Sequence, residues 1–410
     1  MQTLHIAKWV VPVSSPPLEY GALLVQDKTI KAVGKKRDLI SNISSETKVI
    51  DHGESILMPA FVNCHCHLEL SWLYKKISPG LGFEHWLKTI MKLLEREREN
   101  GHLKRDKFIK KALKDSMKEG VLLIGDVSNL PYFLKKDQKF PFVHLFLEII
   151  HPKEGLPNLD NSILEHKKIN KMGFISCSYA PHSLYTCSLS TIAYLKKLCK
   201  KKRMPMTIHL LESKEEVEFL KRAKGPLLKI LKERGRNINE FFRPFDQPVL
   251  ALAKKDILDE MTICVHCTFI SRKELEIIKE NNSFVCLCPR SNSFIHGELP
   301  KAHLIYGNIE NVCIGTDSLA SNWDLSILSE LKFLYDNFHA IDPFKLIKSA
   351  TINGAKALGF DDRFGSLAPQ KDAAIIKIIS SPSSRGELYD FICSKAQEKG
   401  VEVLEKGSSV

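Results

Sequence analysis

What this chain lacks narrows it before anything it contains. No apolar run reaches the roughly 20 residues of a membrane span, and the opening residues have no charged-then-apolar leader layout. Neither a membrane nor a secretory route is expected. The eleven cysteines lie mostly inside apolar runs, as at Cys264, Cys286, Cys288 and Cys313, where free cysteine acts as a small hydrophobe. Nothing resembles the disulfide framework of a secreted domain, so a reduced, cytoplasmic setting is expected. Glycine-rich phosphate loops, internal repeats and low-complexity tracts are missing too. So is the Pro-Cys-x-x-Cys half of the zinc signature carried by nucleic-acid deaminases. Aromatic residues do not interleave with the basic ones. The net charge of +12, from 60 basic and 48 acidic residues, therefore reads as solvated helix faces such as 196–203. Nucleic acid is not an expected partner, while an anionic small molecule is compatible with the excess.

What is present is an alternation. Short strand-like segments open the chain at 8–13, 22–26, 29–33 and 48–50, and further ones close it at 373–379 and 401–404. Between them run apolar stretches at 57–63, 121–127, 143–150, 174–179, 206–211, 262–265, 283–287 and 312–315, separated by charged amphipathic stretches. Eight β-α units in a row, without a phosphate loop, favour an α/β fold: a (β/α)8 TIM-type barrel over a doubly wound sheet. The two chain ends are expected to form a small β-sandwich. The expected limits are 1–55 and 363–410 for the sandwich and 56–362 for the barrel, with one linker near 380–385.

Barrels of this kind carry their chemistry at the C-terminal ends of the strands. The first strand ends in Asn63-Cys64-His65-Cys66-His67, and residues two apart on a strand face the same way, so both imidazoles aim at one point. Later strands end in Ala180-Pro181-His182, His209-Leu210-Leu211-Glu212, Val265-His266-Cys267, Cys288-Pro289-Arg290-Ser291-Asn292 and Gly315-Thr316-Asp317-Ser318. Three histidines and a carboxylate suit one hydrolytic divalent ion, and His65, His67, His209 and Asp317 are the expected ligands. Zinc is the first choice and ferrous iron also suits the set. Singly, His209 reads equally well as a hydrogen-bonded core imidazole and Asp317 as a helix N-cap.

These motifs together resemble the amidohydrolase superfamily, in its branch of nucleobase and nucleoside deaminases and related chlorohydrolases. The resemblance runs from Pro59-Ala60-Phe61-Val62-Asn63 through His65-x-His67, His209-x-x-Glu212, His266, Cys-Pro-Arg-Ser-Asn at 288–292 and Gly-Thr-Asp-Ser at 315–318 to Gly365-Ser366-Leu367. It implies a barrel plus a sandwich and a single catalytic metal. No lysine stands at 176–182, where two-metal members carry theirs, and Gln370 and Ala374 stand where glycine and aspartate are usual.

The resemblance implies hydrolytic deamination. Glu212 would protonate a ring nitrogen, Asp317 would act as both ligand and base, and His266 would orient the nucleophile or stabilise the developing oxyanion. His182 would contact substrate. Arg290, flanked by Ser291 and Asn292, would clamp a substrate carboxylate or pair equally well with a neighbouring protein carboxylate, and Glu69 and Glu148 would meet ribose hydroxyls or a base nitrogen or pair with an arginine. Phe83 and Trp86 are candidates for an apolar lid. Within the branch, the run from His65 to Ser71 and the Cys-Pro-Arg-Ser-Asn motif are most similar to aminodeoxyfutalosine deaminases of the futalosine route to menaquinone. Other adenosine-type, guanine or cytosine deaminases and chlorohydrolases are the alternative. A small-molecule substrate is the expected partner, and a homodimer is compatible with the family.

Overall fold

The computed structural model describes residues 2–99, 105–129, 132, 140–151, 173–235, 238 and 242–406. Strands β1 (Gln2–Val10), β2 (Leu18–Gln26), β3 (Thr29–Lys35), β4 (Lys48–Asp51) and β5 (Ile56–Pro59) come from the start of the chain. They join β14 (Ala374–Ile378) and β15 (Val401–Lys406) in one seven-stranded sheet, ordered β15-β14-β5-β1-β2-β3 with β4 paired to β1. Both chain ends thus meet in one sheet, as the alternating patterns at the two termini imply. Gln370, where the resemblance leads one to expect glycine, keeps the left-handed backbone that glycine would supply, at φ 73°.

Eight further strands form two parallel four-stranded sheets. One runs β6 (Phe61–Cys66), β7 (Val121–Ser128), β8 (Phe142–Ile149), β9 (Ser176–Pro181). The other runs β10 (Met206–Leu210), β11 (Thr262–His266), β12 (Phe284–Leu287), β13 (Val312–Ile314). Every residue of β6, β7 and β9 through β13 is buried, the mark of parallel strands covered on both faces. The two sheets touch at both outer edges. Cys66 bridges Asp317 in parallel, with the Thr316 and Asp317 amides donating to the His65 carbonyl at 3.0 and 3.1 Å. Ser183 bridges His209, whose amide donates to the His182 carbonyl at 3.0 Å.

The run expected as one strand over 57–63 is two. Ile56–Pro59 pairs with β1 and β14 in the chain-end sheet. At Ala60 the chain changes partners: the Ala60 amide donates to the Ala374 carbonyl at 2.9 Å, and the Phe61 amide to the Gly120 carbonyl at 2.9 Å. Pro59, with no N–H to give, marks the change. The strand expected at 174–179 is displaced toward its C-terminus and takes in Ala180 and Pro181.

The helices expected from amphipathic spacing form at Phe83–Glu99, Asp106–Lys118, Leu189–Lys201, Lys214–Arg222, Arg272–Glu280 and Ile327–Asn337. Four of the six starts are encoded by serine. Ser188, Ser213, Ser271 and Ser326 each accept a first-turn amide, and Ser271 closes a capping box with Glu274. A helix at Leu388–Lys399, not expected from the sequence, follows the linker region. Tyr335 and Ser329 hydrogen-bond to its Asp390 and Gln397. The segment expected as the returning half of a β-sandwich is therefore partly a helix packed on Ile327–Asn337. Among the described residues, no helix is long and apolar enough to cross a membrane.

Candidate active site

The C-terminal ends of the parallel strands bring four imidazoles and a carboxylate together. His65 is the second-last residue of β6, His67 follows the strand, His209 lies in β10, His266 ends β11, and Asp317 stands just beyond β13. His209 Nε2 is 3.3 Å from His65 Nε2 and 3.4 Å from His67 Nε2. Asp317 Oδ1 is 3.7 Å from His65 Nε2 and 3.6 Å from His67 Nε2. The donor atoms of His65, His67 and Asp317 lie within 4.8 Å of one another, as do those of His65, His209 and His266.

Burial sets the charge of this nest. It pushes His67 down to about 3, helped by repulsion from His65. It does the same to His266, to about 3, and carries His209 well below the ordinary imidazole value. Burial opposes ionisation of Asp317, yet the imidazoles of His65, His67 and His266 together hold its carboxyl well below the usual range. Neutral nitrogens with lone pairs converging on one anionic oxygen are the donor chemistry of a divalent-cation site. Without a cation, three Nε2 atoms at 3.3–3.4 Å have too few protons to satisfy one another.

The nest is held from behind. Ser291 Oγ and Ser321 Oγ each donate to Asp317 Oδ2 at 2.6 Å, which leaves Oδ1 toward the histidines. Asn292 Nδ2 donates to His266 Nδ1 at 3.3 Å. Ser291 and Asn292, expected at substrate, thus turn to Asp317 and His266. Gly315 admits the close approach of β6: a Cβ there would stand 2.7 Å from both the Cβ and the carbonyl oxygen of His65. His266, Cys267 and Asp317 hold left-handed backbones at φ 72°, 50° and 58°. Strain of this kind in non-glycine residues costs about 1–3 kcal/mol each and clusters at functional sites.

Sequence reading passed over Asp126, near the end of β7. It accepts the Leu68 amide and the Tyr132 hydroxyl, each at 2.7 Å, and so fixes the backbone just after His67. Burial raises its carboxyl to about 7. Its strand-end position was the available signal. Glu216, also passed over, accepts the amides of Leu211 and Glu212 at 3.1 and 2.7 Å and holds the turn that carries Glu212.

Glu212 Oε1 lies 3.7 Å from His266 Nε2. Burial, and then the charge of Asp317, raise its carboxyl well above the ordinary value, which favours its protonated form. His182 is anchored through Nδ1 by Ser183 and Thr186 at 3.0 and 2.9 Å. Asn129, a third residue not singled out from sequence, joins two carboxylates: its Nδ2 donates to Glu69 Oε1 and to Glu148 Oε2, each at 2.8 Å. Glu148 Oε1 is buried without a partner, and burial followed by the charge of Glu69 raises that carboxyl to about 8.

Nine of these groups border one cavity of about 1380 Å³. His67, Glu69, Asn129, Glu148, His182, His209, Glu212, His266 and Asp317 form its polar floor. Helix Phe83–Glu99 supplies an apolar wall through Phe83, Trp86, Leu87, Ile90, Met91 and Leu94, opposed by Leu227, Ile230 and Leu231. Trp86 is tied to the Ala320 carbonyl at 3.0 Å, so it is at once wall and packing.

Arg290 is the correction. It is not among the lining residues. Its guanidinium grips Asp324 through two hydrogen bonds, at 2.5 and 2.9 Å. The Asp324 carboxylate answers its charge inside the protein and leaves no free fork for a ligand. Cys264 and Cys267, a Cys-x-x-Cys pair around His266, are both free and buried. Burial raises Cys264 to about 12 and holds Cys267 well above its ordinary value, so neither thiol is a ready nucleophile or ligand.

Comparison with known proteins accords with this geometry. Residues 56–385 match the amidohydrolase family, and the chain belongs to that family. It is a hydrolase acting on carbon–nitrogen bonds other than peptide bonds. A 5-methylthioadenosine/S-adenosylhomocysteine deaminase of Teredinibacter turnerae is 27% identical over 91% of this chain and 83% of its own. Helicobacter pylori aminofutalosine deaminase, solved with methylthio-coformycin, superposes with a TM-score of 0.83 at 22% identity over the whole of both chains. A zinc-bound adenosine deaminase from Xanthomonas campestris superposes with a TM-score of 0.78 at 21% identity, over 100% of this chain and 93% of its own.

Proposed function

We propose that this protein is a metal-dependent deaminase of an adenine-type nucleoside bearing a large 5′ substituent, with aminodeoxyfutalosine as its substrate in menaquinone biosynthesis. The observation that carries the reading is the two-part cavity, a donor nest at its floor and an apolar wall above it. Its volume of about 1380 Å³ exceeds the roughly 300–1,000 Å³ of common small-molecule sites, more room than an unsubstituted nucleoside needs. The names of the related proteins point to adenine nucleosides modified at the 5′ position. A methylthio-type tail is the second reading, favoured by the name of the Teredinibacter relative. We also read the eight parallel strands as one closed (β/α)8 barrel, and 1–55 with 363–410 as the accompanying β-domain, into which Ile56–Pro59 crosses. A cytoplasmic setting, where thiols stay reduced, fits eleven free and buried cysteines.

In this reading His65, His67, His209 and Asp317 hold one divalent ion, zinc by preference for nitrogen and carboxylate donors. The ion supplies Lewis acidity that makes water a nucleophile at neutral pH. The chain's own residues do the rest. Glu212, whose protonated form burial favours, gives its proton to the ring nitrogen beside the carbon under attack. Asp317 Oδ1 takes a proton from the attacking water and passes it to the departing amine. Its Oδ2 is kept from this work by Ser291 and Ser321. His266, within 3.7 Å of Glu212, orients the incoming oxygen. One water enters, the C–N bond to the exocyclic amine breaks, ammonia leaves and the ring keeps an oxygen. His182, Glu69 and Glu148 bind the nucleoside.

The test is ammonia release from aminodeoxyfutalosine, methylthioadenosine and adenosine by zinc-loaded enzyme. We expect the first to have the highest kcat/KM. Adenosine as the best of the three would overturn the 5′-substituent reading, and no release from any would overturn the deaminase reading.

A further inference from the structure

The motif Cys-Pro-Arg-Ser-Asn keeps its arginine away from the cavity, and its surroundings assign that arginine another task. The Arg290 backbone amide donates to Glu330 Oε2 at 3.0 Å, and its guanidinium is fixed by Asp324 while lying 3.8 Å from Glu330 Oε1. Glu330 is fully buried, and its Oε1 also accepts Asn322 Nδ2 at 2.8 Å. Asn322 Nδ2 donates in turn to the Thr316 carbonyl at 2.8 Å, one residue before Asp317. Trp323 lies against the guanidinium, 5.4 Å from ring centre to Cζ. Asp324 accepts the Ser326 amide at 3.0 Å, at the cap of helix Ile327–Asn337.

Two strand-end connections are joined in this way. One follows β12 and enters helix Pro289–His296, which carries Ser291 and Asn292. The other follows β13 and carries Asp317 and Ser321. Each of the first pair reaches a group on the cavity floor: Ser291 to Asp317, Asn292 to His266. A hydroxyl that donates at 2.6 Å fixes a carboxylate rotamer only while its own backbone is fixed. Helix Pro289–His296 has eight residues and begins at this point, so its first turn needs an external anchor.

We propose that Arg290, Asp324 and Glu330 form a positioning clamp that holds the two strand-end connections in register, and through Ser291 and Asn292 sets the direction of Asp317 and His266. Arg290 acts through other residues and touches no substrate. The proposal rests on the deaminase reading for its kinetic readout alone, because metal retention reads the same clamp independently.

The test is a double-mutant cycle with Arg290→Met, Asp324→Leu and the pair together, each followed by kcat, KM and zinc retention against a chelator. Loss of a group that orients a metal ligand commonly costs about 10–100-fold in metal affinity or activity. Each single variant should fall by about that much in kcat and in zinc retention, with KM changed by less than about threefold. The double should be no worse than the poorer single, because both remove one device. Arg290→Lys keeps the charge without the two-pronged fork and should recover part of the loss. It also serves if Arg290→Met does not fold. A rise in KM with kcat intact would make Arg290 a substrate contact and overturn the proposal. So would additive losses, or zinc retention and kcat both unmoved. Wild-type protein that holds zinc yet deaminates no nucleoside would sink the deaminase reading, while zinc retention in the variants would still decide the clamp.

Discussion

The floor and the wall of the cavity are built on different terms. The floor is a set of single side chains, each at a strand end and each pinned: Asp317 by two serines, Glu212 by Glu216 through its own amide, the turn after His67 by Asp126. Two of them, His266 and Asp317, hold left-handed backbones. The wall is ordinary helical surface, Phe83 through Leu94 at spacings of three and four, facing a void where packing would usually be. A pinned group tolerates almost no displacement, because proton transfer needs hydrogen-bond reach. An apolar wall tolerates exchange of shape. Chemistry and selectivity should therefore fail separately.

The sharpest break in that comparison is on the floor. Glu212→Gln removes the proton donor and keeps the shape, so kcat should fall by about 10²–10⁴-fold while metal content, read by elemental analysis, stays at the wild-type level. Retained turnover would take Glu212 out of the mechanism. Next is Gly315→Ala. A methyl placed 2.7 Å from His65 should cost about 1–3 kcal/mol in unfolding free energy and loosen metal binding, as followed by denaturant melts and chelation. On the wall, Met91→Ala should lower kcat/KM for the long-tailed nucleoside by about tenfold and leave adenosine within about threefold. Equal losses on both substrates would erase the distinction between floor and wall.

The smallest effect concerns pH. Glu148 is raised to about 8 and Glu330 to about 8, each chiefly by burial. Unfolded carboxyls release their protons near pH 4, so above that the folded state binds more protons and its stability falls as pH rises through 8. The buried imidazoles act in the opposite sense but only below about 6.5, where an unfolded histidine gains its proton. Metal-free protein should melt at lower temperature at pH 8.5 than at pH 7, and Glu148→Gln should flatten that slope. An unchanged slope would mean that Glu148 is not held neutral.

Legibility in the sequence followed the same division. The floor was legible because strand ends are marked by apolar runs that stop, and the residue types there are few and chemically distinct: His65, His67, His209, Glu212, His266, Asp317. Asp126 escaped because its strand runs on past it to Ser128, and Asn129 because an amide carries no signature. The break at Ala60 was hidden inside one unbroken apolar run, since pairing partners leave no mark when both neighbours are buried. The partner of Arg290 stayed open for a related reason. A guanidinium at a strand end suits a ligand carboxylate and a protein carboxylate equally, and Asp324 stands 34 residues away. Of the wall only Phe83 and Trp86 were singled out, because an apolar helix face looks the same whether a ligand or a neighbouring helix covers it.

The central claim is that His65, His67, His209 and Asp317 share a cation. Its most direct measurement is metal stoichiometry of the purified wild-type protein beside His209→Ala and Asp317→Asn. A single tightly held divalent ion per chain in the wild type, lost from both variants while their folds persist by circular dichroism, is the predicted result. Full metal retention in both variants, or a wild-type chain that takes up no divalent ion when zinc is supplied, would contradict it.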